Sequence, residues 1–250
     1  MIKFFRHIRK SLIEQNKMGK YFKYSIGEII LVVIGILIAL QVSNWNQDRQ
    51  ERNNINAYYG KLIEEIDEQI KETEQLLNRN DTLRKMQQKV LEILASKDES
   101  QAPELSDNLG SVATAWPSRY SFEVFDEFNQ NKLLSKVSNS ELKLMLEELK
   151  WRLQKIQLDD DFLVNQYYTS IEPYFARHIN YSTVALPVYS SGFVEGGPEM
   201  DYTHLFQSME LWNVVTLKLE TTNSQIKKLQ EMQGFLKILK VKLKDEFVNA

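Results

Sequence analysis

IGEIILVVIGILIALQV, residues 26–42, carries one charged side chain, Glu28, in seventeen positions. At about 1.5 Å per residue a helix of that length reaches about 26 Å, close to the hydrocarbon thickness of a bilayer. Tyr24 and Trp45 stand at its two ends, where amphipathic rings settle among lipid headgroups. The spacing therefore predicts a transmembrane helix over residues 25–45. A cleaved signal peptide is the rival reading. Against it, the leader is long, the apolar run exceeds an ordinary signal core, and no small-x-small site follows. Leu37 with Ala39, or Gln41 with Ser43, would fit a peptidase poorly.

Charge sets the expected orientation. Residues 1–25 contain seven Lys or Arg and only Glu14 as an acid, whereas the rest holds 24 basic and 33 acidic residues. Basic flanks stay on the cytoplasmic side, so the amino terminus is expected inside and residues 46–250 outside, which in a bacterium is the periplasm. The acidic balance of the outer part argues against nucleic acid as a partner. Cysteine is absent. A body of some 200 residues can bury enough apolar surface to fold without disulfides.

Within the leader, residues 1–24, Phe4, Phe5, Ile8, Leu12 and Ile13 recur at helical spacing. Lys3, Arg6, Arg9 and Lys10 take much of the remaining surface. This is the pattern of a helix lying in the membrane interface against anionic headgroups, so membrane lipids are expected partners. In the crossing, Glu28, Gly35, Ala39 and Val42 fall on one helical stripe. The small pair Gly35 and Ala39 would let another helix approach closely, giving self-association or docking to another membrane protein. Two other readings of Glu28 remain open. It could snorkel toward Lys20, Lys23 or a lipid amine, or relay protons.

The block from Tyr24 to Gln41, closing in Asn44-Trp45-Asn46 and preceded by Met1-Ile2-Lys3-Phe4-Phe5-Arg6, resembles the anchor of an uncharacterised single-pass membrane protein family of Bacteroidota. Further on, Phe125-Asp126-Glu127-Phe128 and Asn139-Ser140-Glu141-Leu142 are similar to a recurring stretch of that family, with Asn131 where a glycine is expected. The resemblance implies a setting, the cytoplasmic (inner) membrane of a Gram-negative cell. It implies no activity.

The outer part reads as all-α, an elongated bundle of three long helices. Ile55, Tyr59, Leu62, Ile66, Ile70, Leu76 or Leu77, Leu83, Met86, Val90 and Leu94 predict a first helix continuing from the crossing to about Ala95. Asn78, Asn80 and Asp81 mark where it could break, and Thr73 and Asn80 are polar positions on its seam. Residues 96–120 are expected to form a distal connection in which Trp116 covers its own bundle, the alternative being an exposed binding anchor. A short helix is expected from Phe122 to Leu134. The second long helix would begin at a Ser138/Glu141 capping box and follow Leu142, Leu146, Leu149, Leu153, Ile156, Leu163, Tyr167 and Ile171 until Pro173 stops it. Residues 174–207 are then expected near the membrane. A third helix, from about Phe206 to Phe247, would turn Trp212, Val215, Leu219, Thr222, Ile226, Leu229, Leu236, Leu239 and Leu243 inward.

Catalytic signatures do not stand out. His7, His178 and His204 lack the spacing of a helical metal site, although His178 and His204 flank one connection and could meet. Three consecutive carboxylates, Asp159, Asp160 and Asp161, point about 100° apart on a helix and read as a solvated acidic face rather than a cation site. The lysines of the third helix, Lys227 to Lys244, read likewise as a solvated face. Gly196-Gly197-Pro198 lacks the lysine and hydroxyl of a phosphate cradle. No catalytic residue, metal or cofactor is assigned. The expected role is an interaction or scaffold component, and the competing class is a periplasmic sensory or small-ligand-binding domain.

Overall fold

The computed structural model describes residues 18–194 and 197–248, and every regular element among them is helical. The interfacial residues Lys3, Arg6, Arg9 and Lys10 lie outside the described residues, and so does the side chain of Tyr24. The chain divides into two compact units, one up to Ala57 and one from Tyr58 onward.

The first unit is helical from Met18. It belongs to α1, Met18–Ser96, which is the one described helix long and apolar enough to cross a membrane, with a mean hydropathy of 2.5 in its apolar window. No part of that window is buried. Asn78, Asn80 and Asp81 do not break α1. Asn80 is instead buried in the second unit, as is Thr73.

In the second unit α1 is followed by α2, Ala102–Leu109, and α3, Glu123–Gln130, with an irregular strap between them. Next come α4, Ser140–Gln166, and α5, Glu172–His178. Two single-turn helices, α6, Tyr181–Val184, and α7, Pro187–Ser190, precede the last long helix α8, Met209–Val248.

The strap reverses the expected path. Gln87 donates to the carbonyl of Ser111 at 3.0 Å, Thr73 shares a hydrogen bond with Tyr120 at 2.8 Å, and Glu65 accepts the backbone N–H of Val124 at 2.7 Å. Tyr58 then donates to Glu127 at 2.7 Å. Falling numbers on α1 thus meet rising numbers on the strap and α3, which carry the chain back along α1. Asp159–Lys228 at 2.6 Å and Glu141–Lys242 at 3.0 Å set α4 antiparallel to α8, and Lys240 pairs with Asp67 of α1. Since α8 also runs against α1, α4 is parallel to α1. Residues 174–207 therefore sit at the Ser96 end of this unit, not at the Tyr58 end. There Ile93, Leu94, Leu105, Phe175, Val184 and Leu205 join one buried cluster. The expected return by the second helix is corrected accordingly: an extended strap has no helical period, and it made the crossing instead. Gly110 is needed at this end, because a Cβ there would lie 2.1 Å from the carbonyl oxygen of Val184.

Local boundaries shift for readable reasons. Asn139, not Ser138, caps α4, its side chain accepting the N–H groups of Glu141 and Leu142 at 3.0 and 3.1 Å. Pro173 does not stop the helix. A π turn over Tyr167–Ile171 widens the preceding turn, and the chain continues as α5 to His178. That widening accommodates the missing N–H and the ring of proline. α3 ends at Gln130, and a tight turn forms although Asn131 is not glycine: Lys132 takes the left-handed conformation at φ 57°. Asn131 donates instead to the hydroxyl of Tyr58 at 3.0 Å. Trp212 is 39 % exposed rather than inward, because Leu211, Val214 and Val215 form the buried face at that end of α8.

Candidate functional site

In the first unit, Gly35, Ala39 and Val42 are exposed and Glu28 is half-buried. A Cβ added at Gly35 would meet nothing within 4 Å. At 100° per residue the four positions share a face of α1. Trp45 is exposed, with the guanidinium of Arg49 5.9 Å from its ring centre.

The second unit holds a cleft of about 310 Å3 between α4 and α8. Two cross-ties bound it. At one end the Lys228 ammonium lies 2.6 Å from Asp159, and at the other the Gln166 amide donates to the carbonyl of Leu217 at 3.2 Å. Ile156, Leu163 and Leu229 line it, while Phe162 and Leu217 stand largely exposed in its wall. Ser118, Asp160, Glu220 and Ser224 add polar groups. The acidic triplet thus splits by direction. Asp161 is exposed and Asp159 is tied to α8, but Asp160 is buried, which corrects the expectation of a uniformly solvated face.

Asp160 organises the strap. Its two oxygens accept the N–H of Ser118, each at 2.9 Å, and one also accepts the N–H of Arg119 at 3.1 Å. Burial nevertheless holds its carboxyl above the usual range, against the lowering effect of those bonds. Gln225 of α8 grips the same segment, donating to the carbonyl of Trp116 at 3.0 Å. Trp116 packs within its own unit, as expected. The Arg79 guanidinium lies 4.6 Å from its ring centre, and its indole N–H donates to Tyr189.

Beside the strap runs a polar interior. Lys218 is 3 % exposed, and its ammonium donates to the carbonyl of Thr114 at 2.6 Å. Burial without a carboxylate partner brings its pKa down to about 8. Thr222, Gln87, Ser111 and Thr114 are buried with it. The signal for Lys218 was its register: 211, 215, 218, 222, 229, 232, 236, 239 and 243 are all buried on α8, and the lysine holds one of those places.

The remaining lysines of α8 are not only a solvated face, since Lys228, Lys240 and Lys242 pair with acids on α4 and α1. His178 and His204 do not meet. His178 lies 3.9 Å from Glu210, and His204 Nδ1 is 2.6 Å from the carbonyl of Asp201. Among the described residues no group of three or more His, Asp or Glu side chains could hold a metal ion.

Among the described residues the fold is all-α, with one helix, near the N-terminus, apolar enough to cross a membrane. Comparison with protein-family models, with curated proteins and with solved structures finds no match.

Proposed function

We propose that this chain is a single-pass protein of a bacterial inner membrane, a scaffold or interaction component with its basic leader in the cytoplasm. Its periplasmic body is an elongated bundle built on three long helices, and the Glu28, Gly35, Ala39, Val42 stripe brings it to a second copy or to another membrane protein. The observation that carries the reading is the uncovered apolar run. Twelve large aliphatic side chains between Ile26 and Val42 are exposed. At roughly 1.5–3 kcal/mol each, covering them is worth on the order of 20 kcal/mol, which lipid supplies along the whole circumference. The resemblance of residues 24–46 to the Bacteroidota anchor supports the same setting.

Carbonate washing of membranes, together with carboxyl-terminal reporter fusions, tests the anchor and its direction. The expected result is a protein retained in the membrane with its carboxyl end outside and its amino terminus uncleaved. A mature protein beginning beyond residue 45 would overturn the anchor. In-membrane crosslinking tests the stripe: the wild type should crosslink, and Gly35→Leu should reduce the product severalfold. A second reading, a small-ligand-binding periplasmic domain, is favoured by one specific observation, the half-open cleft between α4 and α8.

A further inference from the structure

We propose that the α4–α8 cleft binds a small organic cation, an amine carrying a compact apolar body. The inference deepens the ligand-binding reading and is independent of the anchor. The charge left over in the cleft gives its first support. Lys228 is matched by Asp159, whereas Asp160 and Glu220 have no basic side chain paired with them among the described residues. Asp160 is held by backbone N–H groups, which fix its position without neutralising its charge. The unused hydrogen-bonding capacity of the wall is also of the accepting kind. The Gln166 amide spends its N–H on Leu217, and its Oε1 is buried with no donor.

An occupant must therefore bring positive charge and N–H donors, because an anion would face three carboxylates, Asp159, Asp160 and Glu220, against the single ammonium of Lys228, which Asp159 already engages. It must also cover apolar surface. Phe162 is 62 % and Leu217 51 % exposed at the rim, above Ile156, Leu163 and Leu229. The two cross-ties lie seven residues apart on α4, about 10 Å at the helical rise, which suits one ring and a short amine arm. The volume of about 310 Å3 sits at the lower end of the roughly 300–1,000 Å3 of small-molecule sites. A bare divalent cation is disfavoured by the apolar walls and by the lack of converging acids.

The test uses the full chain in lipid nanodiscs, with empty nanodiscs as the reference for partitioning. The probes are phenethylamine and its carboxylate counterpart 3-phenylpropionate, followed by ligand-observed NMR and calorimetry. Phenethylamine should bind saturably, and the carboxylate at least tenfold more weakly. Glu220→Gln and Phe162→Ser alter exposed side chains and should leave the circular dichroism spectrum of the fold unchanged. Each should weaken amine binding about threefold to tenfold. Absence of saturable amine binding overturns the proposal, as does equal binding of the carboxylate or affinity unchanged in both variants. The membrane-extraction result stands whichever way this experiment falls.

Discussion

At the scale of single residues, Lys218 is a buried charge whose cost can be read from its titration. Its ammonium is buried, finds one carbonyl acceptor at Thr114, and has its pKa brought from 10.5 to about 8. Between those values the unfolded chain binds more protons than the folded one, so stability attributable to this lysine rises with pH through that window. Below pH 8 the whole penalty is present, on the order of 3 kcal/mol. Lys218→Met should therefore raise stability at pH 7 by about 1–3 kcal/mol, after loss of one hydrogen bond worth about 1 kcal/mol. Tyr59 and Tyr120, whose pKa values burial pushes up to about 12, work in the opposite sense above pH 10. The lysine is thus isolated by the difference between variant and wild type in urea unfolding at pH 7, 8, 9 and 10. That difference should shrink as pH rises. A variant less stable than wild type at pH 7, with an unchanged pH slope, would refute the assignment. The expected inward face had Leu219 at that level of α8, yet Lys218 is the buried residue there and Leu219 is half-buried. A hydrophobic count passes over Lys218 because it credits only apolar residues, and Asp160 escaped for the same reason inside an acidic run.

At the scale of elements, the second unit depends on an extended strap that carries few helical hydrogen bonds of its own. Two carboxylates from long helices supply what it lacks. Asp160 of α4 receives Ser118 and Arg119, and Glu65 of α1 receives Val124 at 2.7 Å and Phe125 at 3.1 Å. Glu65 stands in for a cap that Phe122 cannot provide at the start of α3. Burial holds the Glu65 carboxyl above its usual range, so both acids are partly desolvated in order to bind backbone. Glu65→Ala or Asp160→Ala should each cost about 1–3 kcal/mol, the penalty for buried N–H groups left without acceptors. Hydrogen exchange should show residues 111–125 opening first in both variants. Loss of protection spread evenly over α1, α4 and α8 would contradict that account. The long helices were legible because their apolar spacing repeats. Leu142, Leu146, Leu149 and Leu163 are buried as the stripe required. The direction of α4 was not legible, since it follows from strap contacts between residues 24 to 69 positions apart. The passage through Pro173 was hidden too, because a single widened turn leaves no period to read.

At the scale of the whole molecule, the two units separate by what their surfaces need. Up to Ala57 the apolar window has no burial at all, while from Tyr58 on the chain builds its own core, from Leu62, Ile66 and Phe128 to Leu236, Leu239 and Leu243. Residues 51–250 carry 31 acidic against 23 basic side chains, a net charge that favours solubility. Exposed apolar residues of that part such as Leu144, Trp151, Leu158 and Ile238 are interspersed with Glu147, Lys150, Lys155 and Lys237. They do not amount to the continuous apolar cylinder of residues 26–42. A chain shortened to residues 51–250 should therefore stay in aqueous solution without detergent, remain predominantly helical, and unfold in one cooperative transition. The full chain should require detergent or lipid. Light scattering and circular dichroism read both properties. If the shortened chain precipitates or melts without cooperativity, its core depends on the preceding segment, and the separation into an uncovered apolar helix and a self-supporting body is lost.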